Sequence, residues 1–239
     1  MTPLVLVALG LSVLAGALVQ SVVGFGMSVV AAPLVVLLAP DLMPVALLLP
    51  SITLPVLQLS HGVRDLARGP LALALVARAV LTPAGVAVVA WFSPRAIAAL
   101  VGALILVTVA LSVRAVDLRP TRANTLVAGA VSGVSGTAAA IGGPFLALVL
   151  QHERPERVRS TLAAFFLVGS GMAVAGLALG GEVHRDQVLA GLALIPFALV
   201  GYALAVPVRR RVDPERFRRL VLGFCVVAGL VVIARAVLA

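Results

Sequence analysis

Charged side chains are scarce in this sequence. They make up 11% of its 239 residues, against roughly a quarter in soluble domains, whereas 62% of the residues are apolar. Each of the nine carboxylates lies in or beside a short polar break, and none lies deep within an apolar stretch. Water is therefore not the main solvent of this chain, and the composition indicates a membrane protein.

Lysine is absent, and all 18 basic residues are arginines. The net charge of +9 would suit nucleic acid, but no basic face runs beside stacking aromatics, so we expect no such partner. A single cysteine, Cys225, excludes an intrachain disulfide and a thiolate cluster. No His, Asp or Glu cluster has metal-ligand spacing either, and we expect neither a metal nor a cofactor.

Long apolar stretches fill most of the chain. About 20 apolar residues make a helix that crosses the ~30 Å hydrocarbon layer. Six stretches approach that length, the last of them interrupted by prolines: 71–90, 96–113, 160–179, 188–206, 220–236 and 42–59. The sequence therefore predicts an all-α polytopic membrane helix bundle of about eight to ten segments. Residues 4–23 lack a basic n-region and a cleavage site, so we expect them to be retained.

Two further apolar regions, 4–39 and 125–150, are each broken near the middle by glycines and followed by a proline. The first break reads Gly24-Phe25-Gly26-Met27-Ser28, and the second reads Ser132-Gly133-Val134-Ser135-Gly136-Thr137 and then Gly142-Gly143-Pro144. This composition is typical of discontinuous membrane helices. We predict one broken helical hairpin in each region and expect the two to meet near the membrane midplane.

The two halves of the chain can be laid on each other, because Ala15-Gly16-Ala17 precedes the first break as Ala128-Gly129-Ala130 precedes the second. We predict a single membrane domain of two repeats, residues 1–118 and 119–239. Most arginines lie near 64–68, 114–122, 154–159 and 209–219, which marks these loops as cytoplasmic. The parity then makes the repeats inverted in topology and places both chain termini outside.

The two glycine-rich breaks, with Pro33 after the first and Pro144 ending the second, resemble those of the sulfite exporter TauE/SafE family, also described as toluene sulfonate uptake permeases. The resemblance covers nearly the whole chain. It implies a transporter, not an enzyme, in the bacterial inner membrane, moving sulfite, sulfonates or related small anions by alternating access with proton coupling. This sequence departs from the glycine-richer family pattern at Met27-Ser28 and at 138–140, where substrate specificity is open.

A helix broken at mid-membrane exposes backbone N–H groups at the start of its second half, where partial positive charge attracts an anion. We expect such ends near Ser28 and Thr137. The candidate substrate-binding residues are Gly24, Gly26, Ser28, Ser132, Ser135, Gly136, Thr137, Gly142, Gly143 and Arg78. The alternative is that small residues here only let helices pack closely.

Arg78 is an ionisable residue inside the apolar stretch 71–90, where a charge is costly enough to indicate function. Its side chain could face an anionic substrate, snorkel to the cytoplasmic edge, or bind carbonyls of a broken helix. Gln20 and Gln58 either line a path or bridge helices by hydrogen bonds. The absence of deep carboxylates favours an anion over a cation as cargo.

Three other functions are considered, of which two stay open and one is disfavoured by the residues. A passive anion channel could use the same half-helix sites, and the chain could also be a membrane subunit of a larger complex. An intramembrane enzyme would need a nucleophile and a base at membrane depth, which the apolar stretches do not offer. The expected partners are a small anion and the lipid bilayer, and a homodimer is left open.

Overall fold

The structure is a computed structural model that describes residues 2–24, 26–60, 62, 65–113 and 118–238. In these ranges it contains helices and no strand. Ten α-helices follow one another: α1 Pro3–Val23, α2 Met27–Leu38, α3 Val45–Ser60, α4 Arg68–Trp91, α5 Pro94–Val113, α6 Arg122–Ala138, α7 Gly143–Val149, α8 Pro155–Leu179, α9 Arg185–Arg211 and α10 Pro214–Leu238. A 3₁₀ turn, Pro40–Leu42, precedes α3.

Six of these helices, α1, α4, α5, α8, α9 and α10, are long and apolar enough to cross a membrane. The other four are shorter, and three of them belong to the two broken regions. The predicted all-α polytopic bundle is therefore confirmed. The stretch 42–59, which the prolines led us to expect as irregular, contains one continuous helix that runs through Pro50 and Pro55.

Helix starts follow local signals that recur in both halves. The Thr2 hydroxyl accepts a hydrogen bond from the Val5 amide at the start of α1, and the Thr121 hydroxyl accepts one from Asn124 at the start of α6. Proline occupies the first position of α5 and of α10. A proline is tolerated there because its missing N–H would lack an intrahelical acceptor in any case. The matching signals fit the correspondence of α1 with α6 and of α5 with α10.

Helix packing follows the same correspondence between α1–α5 and α6–α10. Helix α4 packs against α6, and its counterpart α9 packs against α1. Likewise, α3 packs against α9 as α8 packs against α4, while α5 with α10 and α3 with α8 pair across the two sets. Exchanging the sets therefore leaves these pairings unchanged. The division at residue 118 and the inverted insertion into the membrane stay predictions.

Glycines bring the two equivalent helix pairs close together. A Cβ atom on Gly129 of α6 would lie 2.3 Å from the Ala74 carbonyl oxygen of α4. A Cβ atom on Gly201 of α9 would lie 2.3 Å from the Leu14 carbonyl oxygen of α1. Small residues allow such backbone contact between membrane helices, where packing rather than the hydrophobic effect drives association. These pairs fix α4 and α1 around the two breaks.

Candidate functional site

The first break is built from two glycines with positive φ. Gly24 ends α1 in the left-handed conformation (φ 81°, ψ 14°), and Gly26 precedes α2 with φ 100° and ψ 126°. Phe25, between them, lies outside the described residues. Both glycines allow a sharp reversal because L side chains rarely adopt positive φ. Helix α2 consequently packs back along α1, with Met27 beside Gly16.

Two polar contacts fix the start of α2. The Met27 amide donates a 2.7 Å hydrogen bond to Gln20 Oε1, and both residues are buried. The Ser28 and Ser51 hydroxyl oxygens are 3.3 Å apart, and Ser51 donates to the Leu47 carbonyl at 2.7 Å. Because a hydroxyl has one proton, Ser28 is the donor to Ser51 in this arrangement. Gln20 thus takes one N–H of the α2 terminus and leaves the next ones free of an intrahelical acceptor.

The second break separates α6 from α7 by residues 139–142, of which Ala140 has a positive φ of 57°. The Ser132 hydroxyl donates to the Gly142 carbonyl, and the Ser135 hydroxyl lies 2.6 Å from the Ile141 carbonyl. The Ser135 hydroxyl also lies 2.8 Å from the Val131 carbonyl of its own helix. Both serines, predicted as substrate ligands, therefore direct their protons to backbone carbonyls. The helix start expected near Thr137 is wrong, because α6 continues to Ala138 and α7 begins at Gly143. Thr137 packs against α4 instead, since a Cβ atom on Gly85 would lie 2.7 Å from Thr137 Cβ.

Arg78 lies near the middle of α4, about 15 Å from its start at 1.5 Å per residue, and its exposed fraction is 2%. Its Cζ atom lies 4.9 Å from the centroid of the Phe165 ring. A Cβ atom on Gly169 would lie 2.2 Å from that Cζ, and one on Gly136 would lie 2.8 Å from Nη2. The guanidinium is therefore held between α8 and the second break. Snorkelling to the membrane edge, one of the three alternatives above, does not occur.

The charge of Arg78 lacks a carboxylate partner in the described part of the chain. The ion pairs found there are at helix ends, between Arg157 and both Asp65 and Glu153, and between Arg216 and Asp213. Among the same residues, Nε and Nη1 of Arg78 find no hydrogen-bond acceptor. A buried charge without a partner costs several kcal/mol, and a cation–π contact offsets only about 2 kcal/mol of it. The arrangement therefore favours binding of an anion.

Both breaks and Arg78 line one small cavity of about 10 Å³, which is room for about one water molecule. Of the predicted binding residues, those that line it are Gly26, Ser28, Arg78, Gly136, Gly142 and Gly143. Ser132, Ser135 and Thr137 are not among the lining residues, and Gly24 lines a neighbouring space. Residues of both breaks therefore meet at this cavity, as expected for two broken hairpins, while the position of the cavity at the membrane midplane stays a prediction.

Several lining residues were missed by sequence reasoning. They are Met27, Val29, Ser51, Ala140, Ile141, Pro144, Phe166 and Ser170, while Gln20 had been considered with two alternatives. Ser51 and Ser170 are hydroxyls buried inside apolar helices, and that position was a usable signal. Phe166 carried none, because an aromatic residue in an apolar stretch is indistinguishable from a packing residue.

A second, open cavity of about 720 Å³ adjoins the first, and we call it the vestibule. It extends between α7, α5 and α10, and its lining includes Ala147, Ser112 and Arg218. Glu156 and Arg159 line it at the start of α8. They belong to the arginine-rich segment 154–159, which is predicted to be cytoplasmic. Gln58, the second intramembrane amide, also lines this space. The vestibule therefore leads from the arginine-rich ends of the helices toward the Arg78 cavity.

The family model of the sulfite exporter TauE/SafE matches residues 8–232, a range that contains both breaks, Arg78 and the vestibule. The chain belongs to the TauE/SafE family. No curated protein and no solved structure matched it. As a TauE/SafE member with six long apolar helices, it is a multi-pass membrane protein of a family that transports sulfur-containing anions such as sulfite. Membership of a transporter family agrees with the expectation that the chain is not an enzyme.

Proposed function

We propose that this protein transports a small sulfur oxyanion, sulfite or a sulfonate, across the bacterial inner membrane by alternating access, with the Arg78 cavity as its binding site. The observation that carries the proposal is the buried Arg78 guanidinium, which lies where both helix breaks meet and has no carboxylate partner in the described ranges. An anion in the cavity would supply the missing counter-charge.

The groups around the cavity suit an oxyanion. A guanidinium presents parallel N–H donors that match two oxygens of a sulfonate-like group. The start of α2 adds its partial positive charge, and the amides of Ser28 and Val29 have no intrahelical acceptor. The Ser170 hydroxyl, on α8, is buried and lines the same space. A three-oxygen anion could thus contact donors from α4, α2 and α8 together.

The size of the cavity indicates a closed state, because about 10 Å³ holds no more than one water molecule. An asymmetry between the two halves indicates how the site would open. Helix α2 packs against both α5 and α10, whereas its shorter counterpart α7 packs against α5 and at most marginally against α10. The vestibule occupies the space beside α7. If the two halves exchanged these arrangements, a corresponding space would open beside α2, which supports alternating access.

Proton coupling, which we also propose, would involve a proton on the substrate. None of the residues described around the cavity is an Asp, Glu or His. Sulfite changes protonation near neutral pH, so a protonated anion could carry the coupling proton through a site of fixed positive charge. Uptake of sulfite would then increase when the outside is more acidic than the inside, whereas uptake of a strongly acidic sulfonate would not.

Flux of labelled sulfite and of several sulfonates into proteoliposomes tests the proposed function. A charge-assisted hydrogen bond contributes about 1.5–3 kcal/mol, so Arg78→Ala should lower uptake at subsaturating anion by about tenfold to a hundredfold. Arg95→Ala, which removes an exposed arginine at the start of α5, is the matched control and should keep its flux. No flux of any of these anions, with correctly assembled protein, would contradict the proposal.

A passive anion channel is the second candidate, because the vestibule leads almost to the cavity. Counterflow separates the two functions. Preloading the vesicles with unlabelled sulfite should accelerate entry of labelled sulfite through a transporter, because its binding site alternates between the two sides of the membrane. A channel would show no such acceleration.

A further inference from the structure

Phe166 on α8 stands between the Arg78 cavity and the vestibule. Its side chain is half-buried and lines both spaces. Two other residues, Gln20 and Pro144, share this position. The volumes on the two sides of these residues differ greatly, about 10 Å³ against about 720 Å³. The three residues therefore form the boundary between a nearly closed site and an open space.

The Phe166 ring rests on the first residue of α7, Gly143. A Cβ atom on Gly143 would lie 2.0 Å from Cζ and 2.4 Å from Cε1 of the ring. Only a glycine at 143 leaves space for the ring in this position. Gln20, on the other side of the boundary, is held by its 2.7 Å hydrogen bond from the Met27 amide. Pro144 is fixed because its ring is bonded to its own backbone nitrogen. Phe166 is thus the boundary residue whose side chain can rotate without breaking a polar contact.

An apolar ring at this point affects the electrostatics of the site. The ring keeps bulk water away from the Arg78 guanidinium. The attraction between the guanidinium and an anion is then stronger, because it acts through a lower effective dielectric constant. The same ring blocks the entry of that anion while it rests on Gly143. Rotation of an aromatic side chain can open such a path without any change in helix packing.

We propose that Phe166 is the gating residue of the transport site: its ring closes the Arg78 cavity toward the vestibule and must leave Gly143 for an anion to pass. This inference rests on the proposed function only in that the cavity is taken to be a transport site. The barrier between the cavity and the vestibule does not depend on that function. Residues that gate a site are open in a minor population, typically about 0.1–10% of molecules. Removing the ring should therefore raise access to the cavity by about tenfold to a thousandfold.

Accessibility of a cysteine in the cavity measures the barrier. Cys225→Ser removes the native thiol, and Ser170→Cys places a reporter among the cavity residues. The probe is 2-sulfonatoethyl methanethiosulfonate, a small anionic thiol reagent, applied to the purified full chain in detergent. We expect slow modification of the reporter with Phe166 present and the stated acceleration with Phe166→Ala. Ala147→Cys in the vestibule should react quickly in both backgrounds.

Phe197→Ala is the matched control, because the Phe197 ring also rests on a glycine, Gly10, yet lines neither cavity. It should leave the rate at the Ser170→Cys reporter unchanged. If Phe166→Ala does not assemble, Phe166→Leu keeps an apolar side chain without the ring and should also accelerate the reaction. A rate that is unaffected by either change, or a reporter as reactive as Ala147→Cys beside the native ring, would overturn the inference. Because no anion is transported, this outcome is independent of the proposed function.

Discussion

Three glycines shape the space around the Arg78 guanidinium. Gly136 approaches it from α6, Gly142 from the second break and Gly169 from α8. Gly169 is the most restrictive, since an added Cβ would lie 2.2 to 2.4 Å from Cζ, Nη1 and Nε. The neighbouring Gly171 has no atom within 4 Å of the corresponding position. The position of the charge therefore depends on the absence of one side chain.

Gly169→Ala should displace the guanidinium and weaken anion binding. Misplacement of a binding group by about 1 Å can cost about a hundredfold in function, and we expect a loss of tenfold or more in sulfite affinity, about 1.4 kcal/mol at least. Titration calorimetry on the purified protein measures it. Gly171→Ala should bind sulfite as the native chain does, and equal affinities for both variants would show that Gly169 does not position Arg78.

At the residue scale the sequence predicts the charged member of the site and not its surroundings. An arginine inside an apolar stretch is conspicuous, and so are glycine clusters. The direction of a hydroxyl group cannot be predicted from the sequence, because it depends on how the linker folds. Ser132 and Ser135 were expected to face the substrate, whereas in the structure Ser132 donates to the Gly142 carbonyl and Ser135 lies within hydrogen-bond distance of the Val131 and Ile141 carbonyls. Phe165 and Phe166 carried no signal at all.

The two breaks are the elements on which the site depends. Helix α1 has 21 residues and α2 has 12, while α6 has 17 and α7 has 7. Composition predicted the first break where it is observed, but Ser132 to Thr137, expected as the second break, lie within α6, and that break falls at 139–142. Composition did not predict the unequal lengths. Nor did it predict that α3 continues through two prolines. Each interior proline removes one backbone hydrogen bond, and tertiary contacts can compensate for that loss.

Gly26→Ala should disrupt the first break. Its φ of 100° and ψ of 126° lie outside the regions open to L side chains, so an alanine there should cost about 1–3 kcal/mol. We expect a lower apparent melting temperature in detergent and weaker sulfite binding, because the start of α2 would shift. Gly223→Ala, at an exposed helical position without close neighbours, is the control. Its melting temperature should stay equal or rise, and a similar fall in both variants would contradict the role of Gly26.

Over the whole molecule, the main helix pairs formed by α1–α5 match those formed by α6–α10. The repeated sequence around each break predicted a duplication, and arginine-rich loops predicted an orientation. The pairing of particular helices could not be predicted, because helices that are apolar on every side show no single packing face. Only the structure indicates that α4 lies against α6 and α1 against α9.

Impermeant thiol labelling of intact cells tests the predicted orientation. In a Cys225→Ser background, Glu182→Cys lies in the loop before α9 and Arg119→Cys in the loop before α6. We expect Glu182→Cys to react from the periplasmic side and Arg119→Cys to react only after the membrane is permeabilised, since basic loops stay in the cytoplasm. The reverse pattern would place the vestibule on the periplasmic side. It would contradict the predicted topology, in which both termini are outside.

Sulfite binding to purified protein, compared among the native chain, Arg78→Gln and Arg95→Gln, tests whether the buried Arg78 charge binds the anion. Glutamine keeps hydrogen-bond donors at position 78 but removes the charge that lies between the two breaks. We expect saturable binding by the native chain and by Arg95→Gln, and about tenfold to a hundredfold weaker binding by Arg78→Gln. Unchanged affinity in a folded Arg78→Gln protein would contradict it, because the anion would then bind without the buried guanidinium.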